Sequence, residues 1–373
     1  MKKVIFDVDG VLLSEKRYFD VSALTVWEWY NSPLYLNLGG EQIKAELDDT
    51  AIASLRARYW QDDAILNWMK LHGINSNWDM VHAHVVVTLW LMLERQGWGP
   101  DQAGQFPLAA VDDVRALGRS LAGCTLPDAA AVLDRLVQTV PPEAGKDDVF
   151  TCLGQAMRPV LGDVAASWAG LGSPLWQLLF ECFQEWYFGD DLYETTYGKK
   201  PYNPGKPGFL QREQPLGAVS AIKGLFQELK RRGYAIAIAT GRSWPEVRIP
   251  FTIFDWLSEF DQHYICTDTD VVAAEDLLHQ SLDKPNPFVY YVAAFGKAVD
   301  RYGAYAADPD QFKQGQYFVV GDSLADVWCA KAMGAVMIGT LTGLDGANAR
   351  TMFEQAGADY IVDSVLDIAG ILK

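Results

Sequence analysis

The chain has 373 residues, half of them apolar, which exceeds one typical domain and allows two sizeable cores. Its formal net charge of −17 excludes nucleic acid and anionic membrane surfaces as partners, because both demand a basic face. Any anionic substrate must therefore meet local positive charge or a metal.

The first element is short. Val4, Ile5 and Phe6 form an apolar run too brief for a helix and read as a buried strand, followed by Asp7, Asp9 and Gly10 as the chain turns away. Residues two apart on a strand share a face, so Asp7 and Asp9 can share a site if the strand continues, or be splayed by a turn at Gly10. Two like charges this close need a cation or a shared proton. The pair is not a calcium loop of the EF-hand kind, because the chain runs straight on into Val11, Leu12 and Leu13 where further oxygen ligands are required. Nor do Lys2 and Lys3 open a signal peptide, since Asp7 interrupts the apolar run at once. The longest apolar stretch, residues 85–93, is far short of the roughly 20 residues that cross a bilayer. Cys124, Cys152, Cys182, Cys266 and Cys329 are odd in number and form no Cys-x-x-Cys pair, which fits a reducing cytosol without a zinc site. A cytoplasmic protein with no membrane partner is expected.

Residues 16–214 have helical periodicity and carry ten of the thirteen tryptophans. Helices are predicted over 22–30, 41–58, 62–72, 78–95, 126–140 and 175–188, with breaks at Gly97 to Pro100, at Pro141-Pro142 and from Pro201 to Gly208. His82 and His84, two apart on one of these helices, face different sides and read as core or surface histidines instead of a metal pair. Trp27, Trp29, Trp60, Trp68 and Trp90 read as packing. The acid-free stretch 197–212, with Lys199, Lys200, Lys206 and Arg212, reads first as a solvated linker and second as a hinge that steers an anion.

From residue 215 helices alternate with short apolar strands, predicted at 234–239, 263–266, 317–320, 335–339 and 360–362, with helices over 218–232, 324–333 and 347–356. The first strand cannot be stable alone and must join this sheet. The fold class is therefore α/β, a Rossmann-like parallel sheet built from residues 1–15 and 215–373, with an all-helical domain, 16–214, inserted after the first strand.

Ligands of open parallel sheets bind at the carboxyl ends of the strands. There the sequence places Asp7 and Asp9, then Thr240-Gly241-Arg242, then Asp283-Lys284-Pro285-Asn286-Pro287, then Gly321-Asp322-Ser323 with Asp326. Each has an ordinary reading as a cap, a turn or a surface bend. Together, and in this order, they resemble the four motifs of the haloacid dehalogenase (HAD) superfamily, and the insertion sits where that family's C1-type cap would sit, although it looks longer than usual.

The resemblance implies that Asp7 is a nucleophile forming an aspartyl-phosphate, and that Asp9 protonates the leaving oxygen and then activates water. It implies a magnesium site formed by Asp7, the Asp9 carbonyl and Asp322, with Asp326 as a further ligand or a supporting acid. Thr240 and the Gly241 amide would hold phosphate oxygens, and Lys284 would supply fixed positive charge. Asn286 falls on the substrate side, and Arg242 is left with two roles, reaching the substrate or supporting its loop. The activity so implied is magnesium-dependent hydrolysis of a small phosphorylated metabolite. Phosphomutase-type transfer on the same core is the alternative, and a non-catalytic binding scaffold is the reading from a different class.

Overall fold

The computed structural model describes residues 2–307, 316–344 and 346–372. The chain divides into two compact units, Met1–Glu15 with Leu210–Lys373, and Lys16–Phe209.

The first unit is built on six strands: β1 (Lys2–Phe6), β2 (Tyr234–Ala239), β3 (Ile265–Cys266), β4 (Gln316–Gly321), β5 (Val336–Thr340) and β6 (Tyr360–Val362). All neighbouring pairs are parallel, in the order β3-β2-β1-β4-β5-β6. This is the Rossmann-like sheet that the alternation of strands and helices implies. The pleat sends alternate side chains to opposite faces. Ile5, Ala237 and Val319 pack on one side with the helices Phe288–Phe295 and Leu324–Met333, while Val4, Phe6, Ile236 and Val320 pack on the other with Val219–Arg231 and Trp244–Ile253. Both faces are covered, which is why the strands read as continuous apolar runs.

Beyond β1 the chain folds into a tight turn. The N–H groups of Leu12 and Leu13 both donate to Val8 O at 2.9 Å, and Gly10 adopts φ +65°. Ser14 N–H then donates to Gln214 O and Leu216 N–H to Leu12 O, at 2.8 and 2.9 Å. These bonds tie residues 214–216 to the β1 turn, so this unit begins again at Leu210, ahead of the texture change at residue 215.

The second unit is helical. Its helix Lys16–Asn31 is buried along nearly its whole length beside Asn77–Arg95 and Pro174–Phe188. The helix predicted from residue 41 begins only at Asp49, because Asp48 caps it by accepting from Ala51 N–H at 2.8 Å. The preceding segment is held by side chains instead, with Glu41 accepting from Trp27 Nε1 and from Arg58. Helices Val111–Ser120, Lys146–Leu161 and Asp190–Tyr197 were not predicted. His82 and His84 are core residues: each donates its ring Nε2–H to a backbone carbonyl, Trp168 O at 2.8 Å and Tyr59 O at 3.0 Å, and burial pushes both imidazoles down to about 4. No helix among the described residues is long and apolar enough to cross a membrane.

The basic stretch is not a solvated linker. Lys206 is buried between Glu28 and Glu185, 2.9 and 2.6 Å from their carboxylates, and Lys199 pairs with Glu181 at 2.6 Å. Two buried carboxylates on neighbouring helices need a compensating cation, and Lys206 supplies it from the otherwise irregular return segment.

Candidate active site

The strand order reverses between β1 and β4, the place in an open parallel sheet where the loops diverge and leave a crevice. Asp7 stands there, its N–H donating to Val320 O at 2.9 Å. Its carboxylate accepts from Val8 N–H at 2.7 Å and from Lys284 Nζ at 2.9 Å.

Lys284 also donates to Asp326 Oδ1 at 2.9 Å and to the Tyr290 hydroxyl at 3.3 Å. Asp326 is fully buried. Its Oδ1 accepts from Tyr290 as well, at 2.7 Å, and its Oδ2 accepts from the Ser323 hydroxyl and N–H at 2.8 and 3.1 Å. Both oxygens are thus committed to holding Lys284 and the start of the helix Leu324–Met333. The consequences for charge are opposite at the two acids. Burial pushes the Asp7 carboxyl up to about 7, with Asp326 and Asp9 adding to the rise and Lys284 opposing it. Burial acts upward on Asp326 too, but the Lys284 charge and the donors from Lys284, Tyr290 and Ser323 outweigh it and hold that carboxyl below its ordinary value.

Asp7, Asp322 and Asp326 each bring a carboxylate oxygen within 4.8 Å of the others. Hard oxygen donors in this number suit a small divalent cation that keeps water ligands. The surroundings of Asp322 fit that use. A Cβ at Gly10 would lie 2.0 Å from Asp322 Oδ2, and one at Gly343 would lie 2.2 Å from the same atom, so two glycines make the cradle in which this carboxylate rests. The Gly10 carbonyl is itself held by the hydroxyls of Thr340 and Thr342, at 3.3 and 2.5 Å.

Thr240 follows β2, buried, and its Oγ1 accepts from Arg242 N–H at 3.2 Å while Gly241 lies exposed beside it. Arg242 is buried. It donates from Nε and Nη2 to Asp9 Oδ1 at 3.0 and 2.6 Å, and from Nη1 to Glu213 Oε1 at 3.2 Å, so of the two roles it takes support over reaching outward. Asn286, expected on the substrate side, makes local bonds: its Oδ1 accepts from Phe288 N–H at 3.0 Å and its Nδ2 donates to Ser281 O at 3.4 Å, just ahead of the helix Phe288–Phe295.

Three contributors escaped sequence reasoning. Tyr290 lies in the apolar run Phe288–Phe295, where a buried phenol must find a partner for its hydroxyl, and that requirement was the available signal. Glu213 and Thr342 carried none, since only the folded chain brings them to Arg242 and Gly10.

Comparisons with known proteins identify the family. A family model described as a hydrolase, haloacid dehalogenase-like, matches residues 1–334. No curated protein matches the chain. An X-ray structure of a Northeast Structural Genomics Consortium target is 36% identical, with coverage of 100% of this chain and 98% of that one and a TM-score of 0.82. A haloacid dehalogenase-like protein of unknown function from Agrobacterium tumefaciens is 15% identical, with coverage of 99% and 96% and a TM-score of 0.38. A predicted phosphoglycolate phosphatase from Haemophilus somnus is 21% identical, with coverage of 64% and 88% and a TM-score of 0.32. The last two are too distant to bear on chemistry. The chain belongs to the haloacid dehalogenase-like hydrolases.

Proposed function

We propose that this protein is a magnesium-dependent phosphatase that hydrolyses a small phosphorylated metabolite through an aspartyl-phosphate on Asp7. The observation that carries the reading is the placement of the Asp7 carboxylate at the strand-order reversal, 2.9 Å from Lys284 Nζ and beside the cradled Asp322. A carboxylate is a weak nucleophile, effective toward a phosphoryl group when charge repulsion is neutralised and the approach is held in line.

Asp7, Asp322 and the main-chain carbonyl of Asp9 would hold the magnesium ion, which when bound supplies positive charge opposite the phosphoryl oxygens. Lys284 supplies the fixed share of that charge. An Asp7 oxygen forms the bond to phosphorus as the bond to the leaving oxygen breaks, and Asp9 gives that oxygen its proton. Water then attacks the aspartyl-phosphate, its proton passing to Asp9, and inorganic phosphate leaves as the Asp7 carboxylate is restored. The Thr240 hydroxyl, which accepts from Arg242 N–H, keeps its own proton for a phosphoryl oxygen. Asp326 acts in this reading through Lys284, with both its oxygens engaged.

The test is release of inorganic phosphate from a panel of phosphate monoesters, with magnesium against excess chelator and wild type against Asp7→Asn. Activity that disappears in both controls is expected. A folded, magnesium-loaded protein that turns over no monoester would overturn the reading.

A further inference from the structure

Among the described residues Arg242 is the one guanidinium buried at the strand ends, and its surroundings are unlike those of an anion-binding arginine. Two of its nitrogens converge on a single oxygen, Asp9 Oδ1, at 3.0 and 2.6 Å. A third, Nη1, donates to Glu213 Oε1 at 3.2 Å and to the main-chain Glu246 O at 3.4 Å. Glu213 and Glu246 are themselves buried, and Glu246 accepts from Ser243 N–H at 2.8 Å, which fixes the start of the helix Trp244–Ile253 from which that carbonyl projects. The arginine's own backbone is pinned as well: its N–H donates to Thr240 Oγ1 and its carbonyl accepts from Asp268 N–H at 2.8 Å.

A planar guanidinium held by three partners on a pinned backbone delivers its hydrogen bonds in one direction. That direction is Asp9. With the carboxylates of Asp9 and Glu213 both against it, its charge is neutralised locally, which removes the reason for a phosphate to bind it.

We infer that Arg242 is the positioning residue for Asp9, and that Glu213, from the segment re-entering this unit, sets the guanidinium in place. Asp9 stands in the tight turn beyond the end of β1, where a bridge to Leu13 holds its backbone and the two donors of Arg242 hold its Oδ1. A proton carrier misplaced by an ångström loses most of its effect on rate, so the clamp is where the direction of Asp9 is set. The role in catalysis rests on the phosphatase reading above; the clamp itself does not.

The experiment uses the full chain with Arg242→Lys, Arg242→Met, Glu213→Gln and Asp9→Asn, and has two arms. In the kinetic arm, a positioning role lowers kcat by about 10- to 100-fold in Arg242→Met with KM changed by less than about threefold, and Arg242→Lys recovers little because a single ammonium cannot reproduce the two converging donors. The loss is larger for an alkyl phosphate, whose leaving oxygen must be protonated, than for an aryl phosphate with a good leaving group. Glu213→Gln shifts kcat in the same direction by less. A rise in KM with kcat unchanged would make Arg242 a substrate contact and overturn the inference.

The second arm reads unfolding midpoints of Asp9→Asn, Arg242→Met and the double variant and needs no activity. Non-additive midpoint shifts are expected, since the two residues form one pair. Additive shifts would overturn the clamp even in an enzyme that hydrolyses phosphate esters well. Non-additive shifts in a protein without phosphatase activity would instead retain the clamp and discard the phosphatase reading.

Discussion

Replacing Lys284 by Met removes the cation that sits 2.9 Å from both Asp7 and Asp326. At an effective dielectric of about 20, each contact is worth about 6 kcal/mol of Coulomb attraction. Desolvating the lysine costs several kcal/mol, and one of the stranded carboxylates can escape by taking a proton, so the expected destabilisation of the metal-free protein is about 3–5 kcal/mol near neutral pH. The sign with pH follows from the carboxyls. Already in the wild type, burial and its acidic neighbours raise the Asp7 carboxyl to about 7, so its contribution is present at low pH and is lost as pH rises through about 7. Without Lys284 the Asp326 carboxyl, now held low, rises too, so the folded variant holds more protons than the unfolded chain over a wider range and its deficit grows with pH. The assay is urea unfolding in chelator at about pH 5.5 and about pH 8, followed by hydrogen exchange of the β1 segment so that this unit is read by itself. Lys284→Met should show the larger deficit at the higher pH, and adding Asp7→Asn should restore part of it. A deficit below about 1 kcal/mol that does not change with pH would refute the reasoning, because the lysine would then be no more than a surface ion pair.

Magnesium should compete with a proton on Asp7: its apparent affinity is expected to rise up to about tenfold per pH unit below about 7 and to level off above, as read by calorimetry in buffers of different ionisation enthalpy, and a pH-independent affinity would count against Asp7 as a ligand. Gly343→Ala puts a methyl 2.2 Å from Asp322 Oδ2 and should weaken magnesium binding by about 10- to 100-fold with little loss of stability. Gly10→Ala should do the same and in addition lower the unfolding midpoint, since its φ of +65° costs an alanine about 1 kcal/mol. Equal magnesium affinity in Gly343→Ala and wild type would show that the cradle does not matter. In the helical unit, Lys206→Met strands Glu28 and Glu185 and should cost about 3–5 kcal/mol in denaturant unfolding, whereas Lys200→Met, at an exposed position, should cost less than about 0.5 kcal/mol; similar values for the two would rule out the buried ion pair as a structural anchor.

Much of this protein was legible in the order of its residues. The short continuous apolar runs at Val4, Ile5 and Phe6, from Tyr234 and from Tyr317, and the helices between them specify a parallel sheet because strands apolar on both faces need helices to cover both. Polar residues directly after those strands, Asp7, Thr240 and Asp322, mark the strand ends, since a run of buried apolar residues stops where the chain leaves the sheet. Pairing was another matter. That Arg242 turns inward to Asp9 and Glu213 and that Lys206 lies between Glu28 and Glu185 depend on residues from 21 to 233 positions apart in the chain, and that Asn286 accepts from Phe288 N–H depends on which partner its side chain meets first. A sequence states which groups carry charge. Only the tertiary structure decides which charges face each other, because burial makes an unpaired ion too costly and the fold alone determines which partner is within reach.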